Sequence, residues 1–128
     1  MRDEDVTERI LAASFEVINE LGAGFLESVY EKSLLIALRE NGMAAESQVP
    51  VPVYFRGKSV GDFFADIIVE DRILLELKAV RNLAPEHLAQ VLNYLKGTGL
   101  KTGLLINFGN KKLEYRRLNN RTEEIVMV

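Results

Sequence analysis

The chain has 128 residues, 48% of them hydrophobic and 27% charged, with a formal net charge of -3. That is one domain with material for a real core, and it excludes a disordered or collagen-like chain. No apolar run is long enough to cross a bilayer and the start Met1-Arg2-Asp3-Glu4-Asp5 is too acidic for a signal or transit peptide, so a cytoplasmic protein is the default expectation.

In chain order, Val6, Ile10, Leu11, Phe15, Ile18 and Leu21 recur at helical spacing and predict an amphipathic helix over about Thr7 to Glu20. Leu21-Gly22-Ala23-Gly24 breaks it. Leu26, Val29, Tyr30, Leu34, Ala37 and Leu38 predict a second helix that stops near Asn41-Gly42. Val49 to Phe55 contains Pro50 and Pro52, which lack backbone donors and suit the start of an edge strand. Arg56-Gly57-Lys58 is the turn, and strands over about Val60 to Val69 and Ile73 to Val80 complete a meander. Pro85 opens a third helix with Leu88, Val91, Leu92 and Leu95 on its apolar face, ended by Gly97-Thr98-Gly99. Thr102 to Asn107 reads as a buried strand, Gly109 to Lys112 as a turn, and Leu113 to Leu118 as a more polar last strand. The tail Ile125 to Val128 is apolar enough to pack or pair. This order fits a mixed sheet flanked by helices, the Pro85 helix being long enough for a right-handed parallel crossover.

The net charge conceals an asymmetry. From Lys96 to Arg121 there are seven bases (Lys96, Lys101, Lys111, Lys112, Arg116, Arg117, Arg121) and one acid, Glu114, whereas residues 1–64 carry six bases against eleven acids. Such a segment either faces phosphates or is a solvated surface.

Charge also interrupts the two apolar strands from Phe63 to Val80, at Asp66 on one and at Glu76 and Lys78 on the next. Alternation puts Glu76 and Lys78 on one face. A two-residue Glu70-Asp71 turn would point Asp66 to the other face; a three-residue loop Glu70-Asp71-Arg72, or a bulge nearby, brings Asp66 opposite Glu76. The group is then either a carboxylate pair beside an ammonium or a solvated surface ion pair worth under about 1 kcal/mol. With no cysteine and one histidine, any metal here is held by oxygen. Glu27 reads as an exposed helical glutamate with Tyr30 at i+3, Gln90 as part of a polar stripe with Asn93 and Tyr94, and His87 as a surface residue.

The order of elements, with Asp66 and then Glu76-Leu77-Lys78 on consecutive strands, resembles the PD-(D/E)XK nuclease superfamily, and Gly24-Phe25-Leu26-Glu27-Ser28-Val29-Tyr30 resembles the signature of its GxxExxY family. The resemblance covers about residues 5–118 of a single domain spanning 1–128, and implies an α/β restriction-endonuclease-like fold: a mixed central β-sheet flanked by helices in the order ααβββαββ. The proline of the superfamily's name is replaced by Ala65. By resemblance, Asp66, Glu76 and the Leu77 carbonyl hold Mg2+ or Mn2+, Glu27 serves a second ion or its water, and Lys78 orients the attacking water. Gln90 reaches toward that lysine, with Tyr30 and Tyr94 in support. The implied activity is metal-dependent hydrolysis of nucleic acid, DNA foremost, by an endo- or exonuclease. Lys96, Lys101, Lys111, Lys112, Arg116 and Arg117 would contact phosphates. No membrane is implied, and a homodimer is open. Two other readings stand beside it: a nucleic-acid-binding module that keeps the fold without turnover, and a protein-interaction domain using the apolar tail.

Overall fold

Apolar periodicity in the first forty residues yields two packed helices, α1 (Asp3–Leu21) and α2 (Glu27–Glu40). The computed structural model describes residues 2–120 and the backbone of 125–127; Arg121 and Val128 lie outside the described residues. Six strands follow, β1 (Ala45–Phe55), β2 (Lys58–Val69), β3 (Ile73–Lys78), β4 (Thr102–Asn107), β5 (Glu114–Asn120) and β6 (Ile125–Met127), with α3 (Pro85–Thr98) between β3 and β4. They form one sheet in the order β1-β2-β3-β4-β5-β6, parallel only between β3 and β4. The tail thus has a pairing partner, Ile125 to Met127 running antiparallel to Leu118 to Asn120.

Period-two alternation divides the core into two layers. Ile73, Leu75 and Leu77 of β3, with Leu104 and Ile106 of β4, pack under α1 and α2. Leu74 and Leu105 point the other way, against Val91, Tyr94 and Leu95 of α3. β3 and β4 are therefore covered on both faces, which is why they read as continuous apolar runs. β1 begins at Ala45, four residues before the proline-rich stretch, so Pro50 and Pro52 lie within the strand; it is an edge strand, where their missing donors do not interrupt a ladder.

One feature fixes the strand end that follows Glu76. Asn107 is fully buried and substitutes for a strand neighbour: its Nδ2 donates to the Val80 carbonyl at 2.8 Å and to Glu114 Oε1 at 3.1 Å, while its Oδ1 accepts from the N–H of Val80 and of Gly109, both at 3.0 Å. A Cβ on Gly109 would lie 2.0 Å from the Val80 carbonyl oxygen, so only glycine fits beside this bridge.

Asn107→Ala leaves the Val80 N–H and C=O without partners, and we expect a loss of about 2–4 kcal/mol. Thermal unfolding followed by circular dichroism checks this; a melting temperature within about 2 °C of wild type would show that the bridge is dispensable.

Candidate active site

The loop Glu70-Asp71-Arg72 does contain three residues: Val69 pairs with Ile73, Ile68 with Leu74 and Ile67 with Leu75. Glu70 and Asp71 both adopt left-handed backbone (φ 55° and 53°), and the loop is tied down by Glu70, whose N–H donates to the Ala44 carbonyl at 2.7 Å and whose Oε2 accepts from the Ala44 N–H at 2.9 Å. Continuing this register sets Asp66 across from Glu76.

The β2–β3 pairing ends at Ile67 and Leu75, and carboxylates take over there. The Leu77 N–H donates to Asp66 Oδ2 at 2.8 Å, and the Asp66 N–H donates to Glu76 Oε1 at 3.1 Å. Asp66 and Glu76 are buried, at 9% and 3% exposure. The Lys78 carbonyl accepts from the Phe108 N–H on the β4 side, so the preceding residue's amide groups, including the Leu77 carbonyl, turn toward the gap beside Asp66.

Burial raises the Glu76 carboxyl to about 8, with the Asp66 carboxylate adding to the rise and the Asp66 N–H and Lys78 opposing it. Burial also raises Glu27, again with Asp66 adding and Lys78 opposing. Lys78 therefore acts on both acids through space, although among the described residues it makes no ion pair. Gln90 Nε2 donates to the Tyr94 hydroxyl at 3.2 Å, and Tyr94 is raised by burial and by the Glu76 carboxylate, which places this pair at the rim of the same site.

Two further residues belong to the group. Glu31 lies one helical turn after Glu27; its carboxyl is raised by burial, with the Asp66 and Glu27 carboxylates adding, and is held down by Gln48. Gln48 Nε2 donates to Glu31 Oε1 at 2.9 Å and Oε2 at 3.1 Å and reaches Asp66 Oδ1 at 3.5 Å. It does so from a left-handed backbone (φ 51°) within β1, an uncommon conformation for a non-glycine residue. The strand pair changes sides at this point. Ala45, Ile67 and Val69 join the core under α1 and α2, whereas Val49, Val51 and Ala65 join the one under α3. The i, i+4 spacing of Glu27 and Glu31 was a signal for the first of these residues; nothing in the sequence marks Gln48.

Other residues fall elsewhere. Tyr30 shares α2 with Glu27, but its hydroxyl donates to the Gly22 carbonyl at 2.6 Å and accepts from the Phe25 N–H at 3.2 Å, and its ring stacks on Phe108 at 4.9 Å. It thus shapes the turn into α2 rather than touching the carboxylates. His87 Nδ1 accepts from the Ala84 N–H at 2.9 Å and caps α3. The described part of the basic segment is not brought together: Lys101 precedes β4, Lys111 and Lys112 follow its other end, Lys96 sits late on α3, and Arg116 and Arg117 alternate across β5.

The Glu76 shift has a defined sign. Between about pH 4.5 and 8 the folded chain retains a proton that the unfolded chain has released, so this group's contribution to stability falls as pH rises through that window. Glu76→Gln keeps the acceptor for the Asp66 N–H and removes the charge. In metal-free buffer it should raise the melting temperature by about 5 °C at pH 8.5 and by little near pH 4.5. Melting curves across pH check this; a pH-independent difference would refute it.

The sequence model of the PD-(D/E)XK nuclease superfamily matches residues 4–118. No curated protein matches the chain. Among solved structures, the fold is similar to that in the crystal structure of SSO0001, with a TM-score of 0.62 at 20% identity over 75% of this chain and 52% of that one. This chain therefore spans about half the length of that protein, and the likeness bears on fold alone: helices flanking a mixed sheet, of the restriction-endonuclease-like kind. With the model matched across nearly its whole length, the chain belongs to the PD-(D/E)XK nuclease superfamily.

Proposed function

We propose that the protein is a divalent-cation-dependent nuclease of the GxxExxY group, hydrolysing phosphodiester bonds in nucleic acid, DNA foremost. The interlocked Asp66 and Glu76, with Lys78 beside them, carries this reading. The donor chemistry fits a hard cation. Each carboxylate has one oxygen fixed by a backbone N–H; Glu76 Oε2 makes no hydrogen bond among the described residues, and Asp66 Oδ1 has only the long contact to Gln48. Asp66, Glu76 and the Leu77 carbonyl would hold the ion, with Glu27 in reserve for a second ion or its water. When bound, Mg2+ or Mn2+ supplies Lewis-acid stabilisation of the attacked phosphate and a more acidic water.

The chain's own residues do the rest. Lys78 stabilises charge developing on the phosphate and orients the attacking water. Gln48 keeps Glu31 and Asp66 from repelling one another freely, by donating to both. Gln90, fixed by Tyr94, supplies an amide at the rim. Lys111 and Lys112 are the basic residues best placed to meet phosphate at this end. The alternative is a nucleic-acid-binding module that keeps the fold without turnover.

Cleavage separates the two. Asp66→Ala and Lys78→Ala should each reduce manganese-dependent cleavage of branched, duplex and single-stranded substrates by about 100-fold or more, Asp66→Ala by weakening cation affinity and Lys78→Ala with binding retained. Wild-type protein that cleaves no better than Lys78→Ala would remove the enzyme reading. Independently of turnover, millimolar manganese should raise the wild-type melting temperature by about 2–5 °C and leave Asp66→Asn unchanged; an equal rise in both would place the cation elsewhere.

A further inference from the structure

The β1–β2 hairpin extends beyond the site and is not used by the chemistry above. Its turn is Arg56-Gly57, both in left-handed backbone (φ 50° and 77°), between paired Phe55 and Lys58. Every residue from Tyr54 to Phe64 is exposed. Among the described residues, eleven large apolar side chains are exposed, and five of them (Tyr54, Phe55, Val60, Phe63, Phe64) lie on this hairpin, so folding does not account for them.

Their placement leads back to the carboxylates. Phe64 lies two residues before Asp66, and alternation along β1 puts Tyr54 on the face of Phe64, whereas Phe55, past the register shift between Val53 and Tyr54, falls on the face of Phe63. On the other face Phe63 lies 5.5 Å from the ring of Tyr94, the rim residue. Beside it, Pro52, Tyr54, Asn93 and Lys96 border a groove of about 500 Å³. Cations accompany the rings: the Arg56 guanidinium sits 4.9 Å over Phe55, and Lys58 and Lys96 are exposed, whereas Asp62 is the one acid between Val51 and Phe64.

We propose that this hairpin is a stacking arm for the unpaired bases of a single-stranded nucleic-acid segment, leading it to the carboxylates at its base; this rests on the nuclease reading and narrows its substrate. Exposed rings interleaved with cations suit a strand whose bases are free to stack and whose phosphates need charge, whereas in a duplex the base faces are already covered. A second copy of the chain fits less well. Self-contact would bring Arg56 and Lys58 against the same cations, and Pro50 and Pro52 remove donors from the open edge of β1.

The test uses wild-type protein in chelator, so that nothing is cleaved, with oligothymidylate of about 20 nucleotides and a blunt duplex of the same length. Anisotropy should show the single strand bound at least about tenfold more tightly. Tyr54→Ala/Phe64→Ala, both at exposed positions on one face, should weaken single-strand binding about tenfold or more and change duplex binding less than about twofold. Because the chain has no tryptophan, Phe64→Trp introduces a single indole, whose emission should be quenched by the oligonucleotide and not by the duplex. Equal losses for both ligands, or an unquenched indole, overturn the stacking arm while leaving the nuclease reading in place. A double variant that turns a dimer into a monomer in light scattering, with single-strand affinity unchanged, overturns it in favour of self-association. Absence of any binding to either nucleic acid overturns both.

Discussion

The structure depends on an exchange between side chain and backbone where β2 and β3 part. Past Ile67 and Leu75 the two strands cease to pair, and Asp66 and Glu76 accept the N–H groups of Leu77 and of Asp66 itself. A buried N–H without a partner is costly, so the strands can separate there only because carboxylates replace the lost acceptors. The same two bonds orient the acids. Each accepts through one carboxylate oxygen from a main-chain N–H, which is firmer support than a flexible side chain gives.

This arrangement concentrates negative charge. Glu27, Glu31, Asp66 and Glu76 are gathered where Lys78 is the one nearby cation, and burial raises three of the four carboxyls. Besides the backbone N–H groups of Asp66 and Leu77, Gln48 offers uncharged relief, and it does so from a left-handed backbone within a strand. A fold selected for stability alone would have no reason to keep either feature, and both lie at the same spot. The ordinary parts of the molecule carry the balance: two apolar layers, and a buried asparagine that completes the end of β3.

Much of this was legible in the residues. Helix and strand periods, the edge position of the prolines and the crossover through Pro85 all follow from local chemistry, whereas the length of the loop, which decided whether Asp66 could face Glu76, was left open by its residues and is given by the pairing of β2 with β3. What escaped depends on the third dimension. Gln48 adopts a backbone conformation that its residue type does not advertise. Tyr30 stands at the spacing expected of a site residue, yet it is wholly buried and its hydroxyl closes a turn. The six described bases from Lys96 to Arg117, continuous in sequence as a basic segment, are scattered by strand alternation and by a β-strand separating Lys101 from Lys111. The glycines before α2 read as a helix break, and their left-handed backbone is the reason for them, since a Cβ at Gly22 or Gly24 would meet nothing within 4 Å.

The first turn of α1 has a consequence for how the chain assembles. Asp3 accepts from Arg72 Nε at 3.1 Å and from the Thr102 hydroxyl at 3.0 Å, joining residues 69 and 99 positions apart. α1 and α2 can form from local contacts, but the surface that receives them includes β4 and is finished only once Thr102 to Asn107 is in place. Until then their apolar faces have only each other. The later strands of the core thus complete the seat of α1, through long-range contacts of the kind that slow folding.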